Sequence, residues 1–227
     1  MKILFAFAMT CVLLQSTFAD DPLNTLTDAE KAAGWTLLFD GTDTSQWRNY
    51  QKEEVGEGWK IVDGAIVRSA KNAGDLITRK QFEAFELQLD FKISKSGNSG
   101  LMYHVTETEK RSWHTGPEIQ IQDNDMGRDP QKTGWLYALY KTDVDVTKPT
   151  GEWNSMRILI TPEKCEHHLN GEKYVEYVKG SDDWKERVAK SKFSKHENFG
   201  VPTKGHICLQ DHGSEVAFRN IKIRVVK

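Results

Sequence analysis

The stretch that decides the fold reads Gly116-Pro117-Glu118-Ile119-Gln120-Ile121-Gln122-Asp123-Asn124. Polar and apolar residues alternate with period two. Laid out as a strand, it places Ile119 and Ile121 on one face and Glu118, Gln120 and Gln122 on the other. The isoleucines call for a second layer to bury them. The opposite row, one carboxylate and two amides on a rigid surface, suits a ligand rich in hydroxyl donors and acceptors, such as a sugar. A double-displacement glycosidase would need two carboxyl groups in that row, and this one has a single acid.

Working outward, similar strand signals recur with turns between them. Trp35–Phe39 stops at Asp40-Gly41, and Trp59–Val62 meets Asp63-Gly64 before Ala65–Arg68, which predicts a two-residue hairpin. Phe85, Leu87, Leu89, Phe91 and Ile93 alternate with Glu86, Gln88, Asp90 and Lys92, the pattern of a half-exposed strand. Further strands are expected at Gly100–Thr106, Trp153–Thr161, Cys165–Leu169, Glu172–Val178, His206–Leu209 and Val216–Val226, with Asn170-Gly171 as a second hairpin turn. Only Ser181–Ser191 departs from this pattern: Ser181 as N-cap, acids in the first turn and Trp184 four residues from Val188 predict one short helix. The expected fold is all-β, a sandwich of two antiparallel sheets in one domain with one short helix.

The chain begins with a charged Met1-Lys2, an apolar run Ile3–Leu14 too short to span a bilayer, and small residues at Thr17 and Ala19. This is the pattern of a signal peptide over 1–19, cleaved near Ala19, so a secreted or periplasmic protein is expected. Residues 20–33 then form a lead-in to a single domain over 34–227. With 31 basic and 33 acidic side chains the net charge is −2, which is no footprint for nucleic acid or an anionic membrane. Outside the leader, Cys165 and Cys208 are compatible with either a disulfide or two buried thiols. The oligomeric state is not legible in the chain.

Three other segments can join the polar row. If Gly100–Val105 is a strand, Gly100, Met102 and His104 share a face, and His104 can exchange a proton near neutral pH. Asn98-Ser99-Gly100 before it permits close approach of backbone or ligand. Asp123 follows the polar strand, where it can also serve as a turn former. Gln210-Asp211-His212-Gly213 gathers donors and acceptors where the chain leaves a strand. Trp113, Trp135, Tyr137 and Tyr140 could stack on a pyranose ring or anchor loops. No cofactor is expected. Asp123, Asp211, His104 and His212 leave room for a divalent metal, although their spacing fits no compact metal motif. There is no phosphate loop, nucleophile elbow or CxxC pair.

Taken together, Leu37–Gly41 with Trp47, Asn98-Ser99-Gly100, Gly116-Pro117-Glu118 with Gln120, Ile121 and Asp123, Gly151–Asn154, His168–Gly171, and Leu209–Gly213 with Phe218–Ile221 resemble the 3-keto-disaccharide hydrolase family over about Gly34–Val226. The resemblance implies a concanavalin-A-like jelly roll, secretion from a bacterium, and cleavage of 3-keto-glycosides by hydrolysis or by base-initiated β-elimination followed by hydration. A ketone at C3 acidifies the C2 proton, so the reaction needs a base, an acid for the leaving oxygen and donors for the enolate. On this reading the base is Glu118 or His104 and the acid His212 or Asp123. Asn98, Gln120, Gln122, Gln210, Trp113 and Trp135 would hold the sugar. The alternative is a non-catalytic, lectin-like carbohydrate-binding module, since the same fold serves both.

Overall fold

The computed structural model describes Pro22–Val226, and over these residues the alternation in the sequence becomes two antiparallel sheets. The segment read as a signal peptide lies outside the described residues. In chain order the strands are β1 (Thr36–Leu37), β2 (Trp47–Asn49), β3 (Trp59–Val62), β4 (Ala65–Arg68), β5 (Leu76–Thr78), β6 (Phe85–Ile93) and β7 (Asn98–Val105). They continue with β8 (Glu118–Gln122), β9 (Asn154–Ile160), β10 (Cys165–Leu169), β11 (Glu172–Tyr177), β12 (His206–Leu209) and β13 (Val216–Val225). One sheet runs β11-β10-β9-β6-β13-β4-β3 with β1 added against β13, and the other runs β2-β5-β12-β7-β8. This is the two-sheet antiparallel sandwich expected from the pattern, in the jelly-roll form that the resemblance implied. The short strands β2 and β5 were not anticipated, because three residues are too few to establish a period.

Both predicted hairpins form, with Asp63 (φ 50°) and Gly64 (φ 70°), and Asn170 (φ 49°) and Gly171 (φ 91°), in the left-handed region that such turns require. The inner faces meet in one core that includes Trp47, Leu101, Ile119, Ile121, Phe85 and Phe218. Burying a side chain of this size stabilises the fold by roughly 1.5–3 kcal/mol. Trp47 is fully buried, and its indole N–H finds the Leu38 carbonyl at 2.6 Å. On β6 the expected solvent face is partly covered. Glu86 is only 3% exposed because Arg157 and Arg224 close over its carboxylate, with Arg224 Nε at 2.7 Å from Oε2. Cys165 and Cys208 are both buried free thiols.

Among the described residues two α-helices stand outside the sheets. The predicted one is present as α2 (Asp182–Lys190), with the Ser181 side chain accepting from the Trp184 N–H and Trp184 turned into the core. Ahead of it in the chain, α1 (Asp28–Ala32) carries a capping box between Thr27 and Glu30 and lies in the lead-in.

Two irregularities position the site. Between Met102 and Val105 on β7 the partner β12 advances only from Cys208 to His206, so β7 carries an extra residue, and His104 takes φ 52°. The outer edge of β8 is covered by the loop that follows it. Gln120 N–H donates to the Trp135 carbonyl at 3.0 Å, Gly134 N–H to the Gln120 carbonyl at 2.9 Å, and Tyr137 N–H to the Glu118 carbonyl at 2.9 Å. The loop protects an edge that could otherwise pair with another chain.

Candidate active site

The register of β7 against β8 pairs Asn98 with Gln122, Gly100 with Gln120 and Met102 with Glu118 on the outer face of the smaller sheet. Glu118 leans across Gly100: a β-carbon there would lie 2.6 Å from Glu118 Oε1 and 2.8 Å from its Cγ. Gln210 is set beside them by backbone geometry. Its N–H donates to the Gly100 carbonyl at 2.9 Å, and its own carbonyl accepts from Ser99 Oγ at 2.8 Å. Asp211 then fixes the turn, accepting from Arg68 Nε at 2.7 Å and Gly74 N–H at 2.8 Å, while its own N–H donates to Asp75 Oδ1. This leaves His212 at the rim. Glu118, Gln210 and His212, together with Asn98 and Trp113, line a cavity of about 210 Å³.

Loops complete the wall. The edge-covering loop contributes Asp129 and Tyr137, whose hydroxyl donates to Asp129 Oδ2 at 2.6 Å. A 3-10 turn at Lys192–Lys195 contributes Lys192 and Phe193. Phe193 stacks on Phe199 with centroids 3.8 Å apart and an interplanar angle of 5°, which pins the turn. Trp113 comes from another such turn, Ser112–His114, anchored by the Ser112 hydroxyl on Asp75.

Glu118 is the electrostatic centre of this cavity. Burial disfavours its ionised form and pushes its pKa up to about 8, with the Lys192 charge and the Gln210 amide acting in the opposite direction. The Gln120 amide lies alongside, oriented so that its nitrogen donates to Glu118 Oε1 and to the Ser99 carbonyl, each at 3.2 Å. Asn98 Oδ1 and Gln210 Oε1 are buried acceptors with no partner among the described residues. Such groups are costly unless something donates to them, and a sugar hydroxyl can. A polar cavity with unspent acceptors and a carboxyl of perturbed proton affinity has the composition of a reaction site.

Of the sequence-predicted residues, Glu118, His212, Asn98, Gln210, Trp113 and Tyr137 converge here. The others do not. His104 was expected beside Glu118, but the extra residue on β7 swings it out of the alternation. Its Nε2–H donates to the Glu83 carbonyl at 2.7 Å and its Nδ1 faces Lys179 Nζ at 3.0 Å. Burial and the neighbouring Lys179 hold its pKa down to about 4, so it is a neutral structural imidazole. Asp123 is a turn former. Against a burial penalty that would raise its pKa, the backbone N–H groups of Ser96, Met126 and Asp125 prevail and lower it. Gln120 is fully buried beneath the cavity and supports Glu118, with no place in the lining. Gln122 donates its amide N–H groups to the Asp129 and Gln131 carbonyls and so holds the edge loop, while its Oε1 is buried without a partner among the described residues. Trp135 lines a separate surface hollow with Tyr140 and Arg187. The four residues considered for a metal are dispersed, with Asp211 paired to Arg68 and Asp123 and His104 outside the cavity lining. Among the described residues no group of three or more His, Cys, Asp or Glu side chains is placed to hold a metal ion.

Residues 34–224 match the model of the 3-keto-alpha-glucoside-1,2-lyase-like domain. The chain belongs to that family. A 3-keto-disaccharide hydrolase from Bacteroides thetaiotaomicron is 33% identical over 230 residues, covering 86% of this chain and 79% of that protein. A crystal structure described as a candidate glycosyl hydrolase from Parabacteroides distasonis superposes with a TM-score of 0.84 at 38% identity, covering 91% of this chain and all of that one. A β-glucanase from Bacillus licheniformis, 10% identical with a TM-score of 0.50 over 83% of this chain and 96% of its own, shares the fold.

Within this family member, the sequence missed Asp129, Lys192 and Phe193, and it named Tyr137 only as one of several flanking aromatics. Lys192 stands in Lys190-Ser-Lys-Phe-Ser-Lys195, where nothing in the spacing separates it from Lys190 or Lys195. Asp129 lies in a loop without period. These residues reach the cavity by tertiary placement alone.

Proposed function

We propose that this enzyme cleaves glycosides already oxidised to a ketone at C3, by proton abstraction at C2 and elimination across C1–C2, with water then adding back. Membership of the family supports a carbohydrate-cleaving enzyme of the glycoside hydrolase class; the keto substrate is taken from the names of the family and of the 33% identical relative, and the eliminative route is supported by the cavity. The observation that carries this reading is the state of its two carboxyl groups. Asp129 is tied down on both oxygens, Oδ2 by the Tyr137 hydroxyl and Oδ1 by the Gln131 N–H at 2.9 Å. Glu118 is met only by side-chain amides and has a strongly raised proton affinity. A nucleophilic glycosidase needs two free carboxyl groups facing one anomeric carbon. A single carboxylate with high proton affinity suits removal of a carbon-bound proton.

Ionised Glu118 takes the C2 proton, and the C–H electron pair forms the enolate with its charge on the C3 oxygen. Collapse of the enolate expels the C1 oxygen, which takes a proton from protonated His212 at the rim, leaving a 2-hydroxy-3-keto enone. Glu118 then exchanges its proton with solvent, and addition of water at C1, with His212 accepting a proton from that water and Glu118 delivering a solvent-derived one to C2, gives net hydrolysis and restores both groups. Asn98 and Gln210 accept from sugar hydroxyls, and the Trp113 face packs against the ring. The sequence pattern of the N-terminus supports action outside the cytoplasm.

The direct test offers the purified protein a 3-keto-disaccharide and its unoxidised parent. The reading predicts sugar release from the keto compound alone. Release from the parent at an equal or greater rate would overturn it in favour of Glu118 and Asp129 acting as a conventional pair, and tight binding without release would favour a lectin.

A further inference from the structure

Lys192 is among the cavity groups that the steps above leave unused. Its Nζ lies 3.9 Å from the centroid of Tyr137, 5.2 Å from that of Phe193 and 5.9 Å from that of Trp113. Among the described residues it makes no ion pair within 4.0 Å and no hydrogen bond. Aromatic faces attract an ammonium group, yet they do not satisfy its three N–H donors. The rings themselves are held in place. Tyr137 is tethered through its hydroxyl to Asp129 and Phe193 is stacked on Phe199. A cation with unspent donors is therefore fixed on the wall of a cavity that Glu118 also lines.

We propose that Lys192 is a catalytic residue that binds the C3 ketone oxygen and carries the negative charge developing there when the C2 proton leaves. This inference rests on the function proposed above. The charge pattern favours a carbonyl over a permanently anionic substituent. Asp129 lines the same cavity, so a group that arrived charged would be repelled, whereas a ketone arrives neutral and becomes anionic only as Glu118 takes up the proton. A cation that meets charge only in the transition state accelerates the chemical step and leaves ground-state binding little changed. In the step itself the C2–H pair becomes the C2–C3 double bond, the carbonyl π pair moves onto O3, and a Lys192 N–H donates to that oxygen without giving up its proton.

The test follows sugar release and loss of the C2 proton by NMR in deuterated buffer, on a 3-keto-glucoside, for the intact protein, Lys192→Met and Lys192→Arg. Expected are a fall in kcat of about 100-fold or more in Lys192→Met, comparable to loss of an oxyanion donor, with KM changed by less than about threefold. Lys192→Arg, which keeps the charge, should recover part of that rate and show that the turn still folds. The pH at which Glu118 ionises in kcat/KM should also move upward in Lys192→Met, since a nearby cation is gone. A Lys192→Met enzyme with the parent's kcat and an unmoved pH profile would overturn the role. Failure of the unmodified protein to act on the keto-glucoside would instead overturn the reaction itself.

Discussion

Gly100 and Glu118 occupy one volume: the space that a β-carbon on Gly100 would fill is taken by the Glu118 carboxyl, 2.6 Å away at Oε1. The glycine therefore fixes how the candidate base lies on the sheet. Gly100 lies in an ordinary extended strand, so an alanine there is no burden to the backbone, and the conflict is confined to the side chain across the ladder. Gly100→Ala should fold with a near-normal melting temperature and lose at least about tenfold in kcat through displacement of the reacting carboxyl. Steady-state kinetics with circular dichroism checks both halves. Unchanged kcat would mean that the position of Glu118 is not limiting.

A second expectation concerns stability and pH. The folded Glu118 titrates near 8 and the unfolded one near 4.5. Between those values the unfolded chain holds fewer protons than the folded one, so this residue makes stability fall as pH rises, with the whole deficit present above 8. Glu118→Gln removes the titration. It should match the unmodified protein at pH 4.5 and exceed it by a few kcal/mol, in order of magnitude, at pH 8.5. Urea unfolding at the two pH values measures the difference, and an equal gap at both would contradict the raised proton affinity.

His212 is assigned to the leaving oxygen, which gives a leaving-group signature. His212→Ala should lose about 100-fold or more in kcat/KM on a 3-keto-disaccharide and far less on a 3-keto nitrophenyl glycoside, whose phenolate departs without a proton. On the aryl substrate this variant should also expose the Glu118 ionisation alone, with kcat/KM climbing as pH rises and levelling near 8. A profile that falls through that pH would make Glu118 the acid instead.

How much of this was legible in the chain follows from what each feature depends on. The strand Glu118–Gln122 came out with the predicted ends because its period, its flanking turns and its buried isoleucines all agree. The Gln210 and His212 pair was legible because a short polar turn after an apolar strand leaves few places for it to point. His104 was misplaced because alternation assumes an unbroken ladder, and the extra residue on β7 is visible only in its pairing with β12. Gln122 shares the predicted face but is captured by carbonyls of a loop whose path depends on the β8 edge. The apparent lack of a second carboxylate held for the strand and not for the cavity, where Asp129 enters from that same loop.

The correction at His104 is itself testable. His104→Ala removes the acceptor for Lys179 and the donor to the Glu83 carbonyl, both in a buried setting. It should cost about 2–3 kcal/mol of stability and leave the kcat of the folded protein within about twofold. Because the folded imidazole titrates near 4 and an unfolded one near 6.5, the unmodified protein loses stability as pH falls through that window, and the variant should lose less. A large fall in kcat without loss of stability would return His104 to the mechanism.

The central claim is that Glu118 removes the C2 proton before the glycosidic bond breaks. It is tested most directly by running the reaction on a 3-keto-disaccharide in deuterated water, with the released 3-keto-sugar alone as the control for spontaneous exchange, and reading C2 by NMR. The account predicts that every turnover loses the original C2 proton, with deuterium at C2 of the hydrated product or an enone lacking that hydrogen, and that Glu118→Gln abolishes the loss. Release of a product that keeps its C2 proton would contradict it.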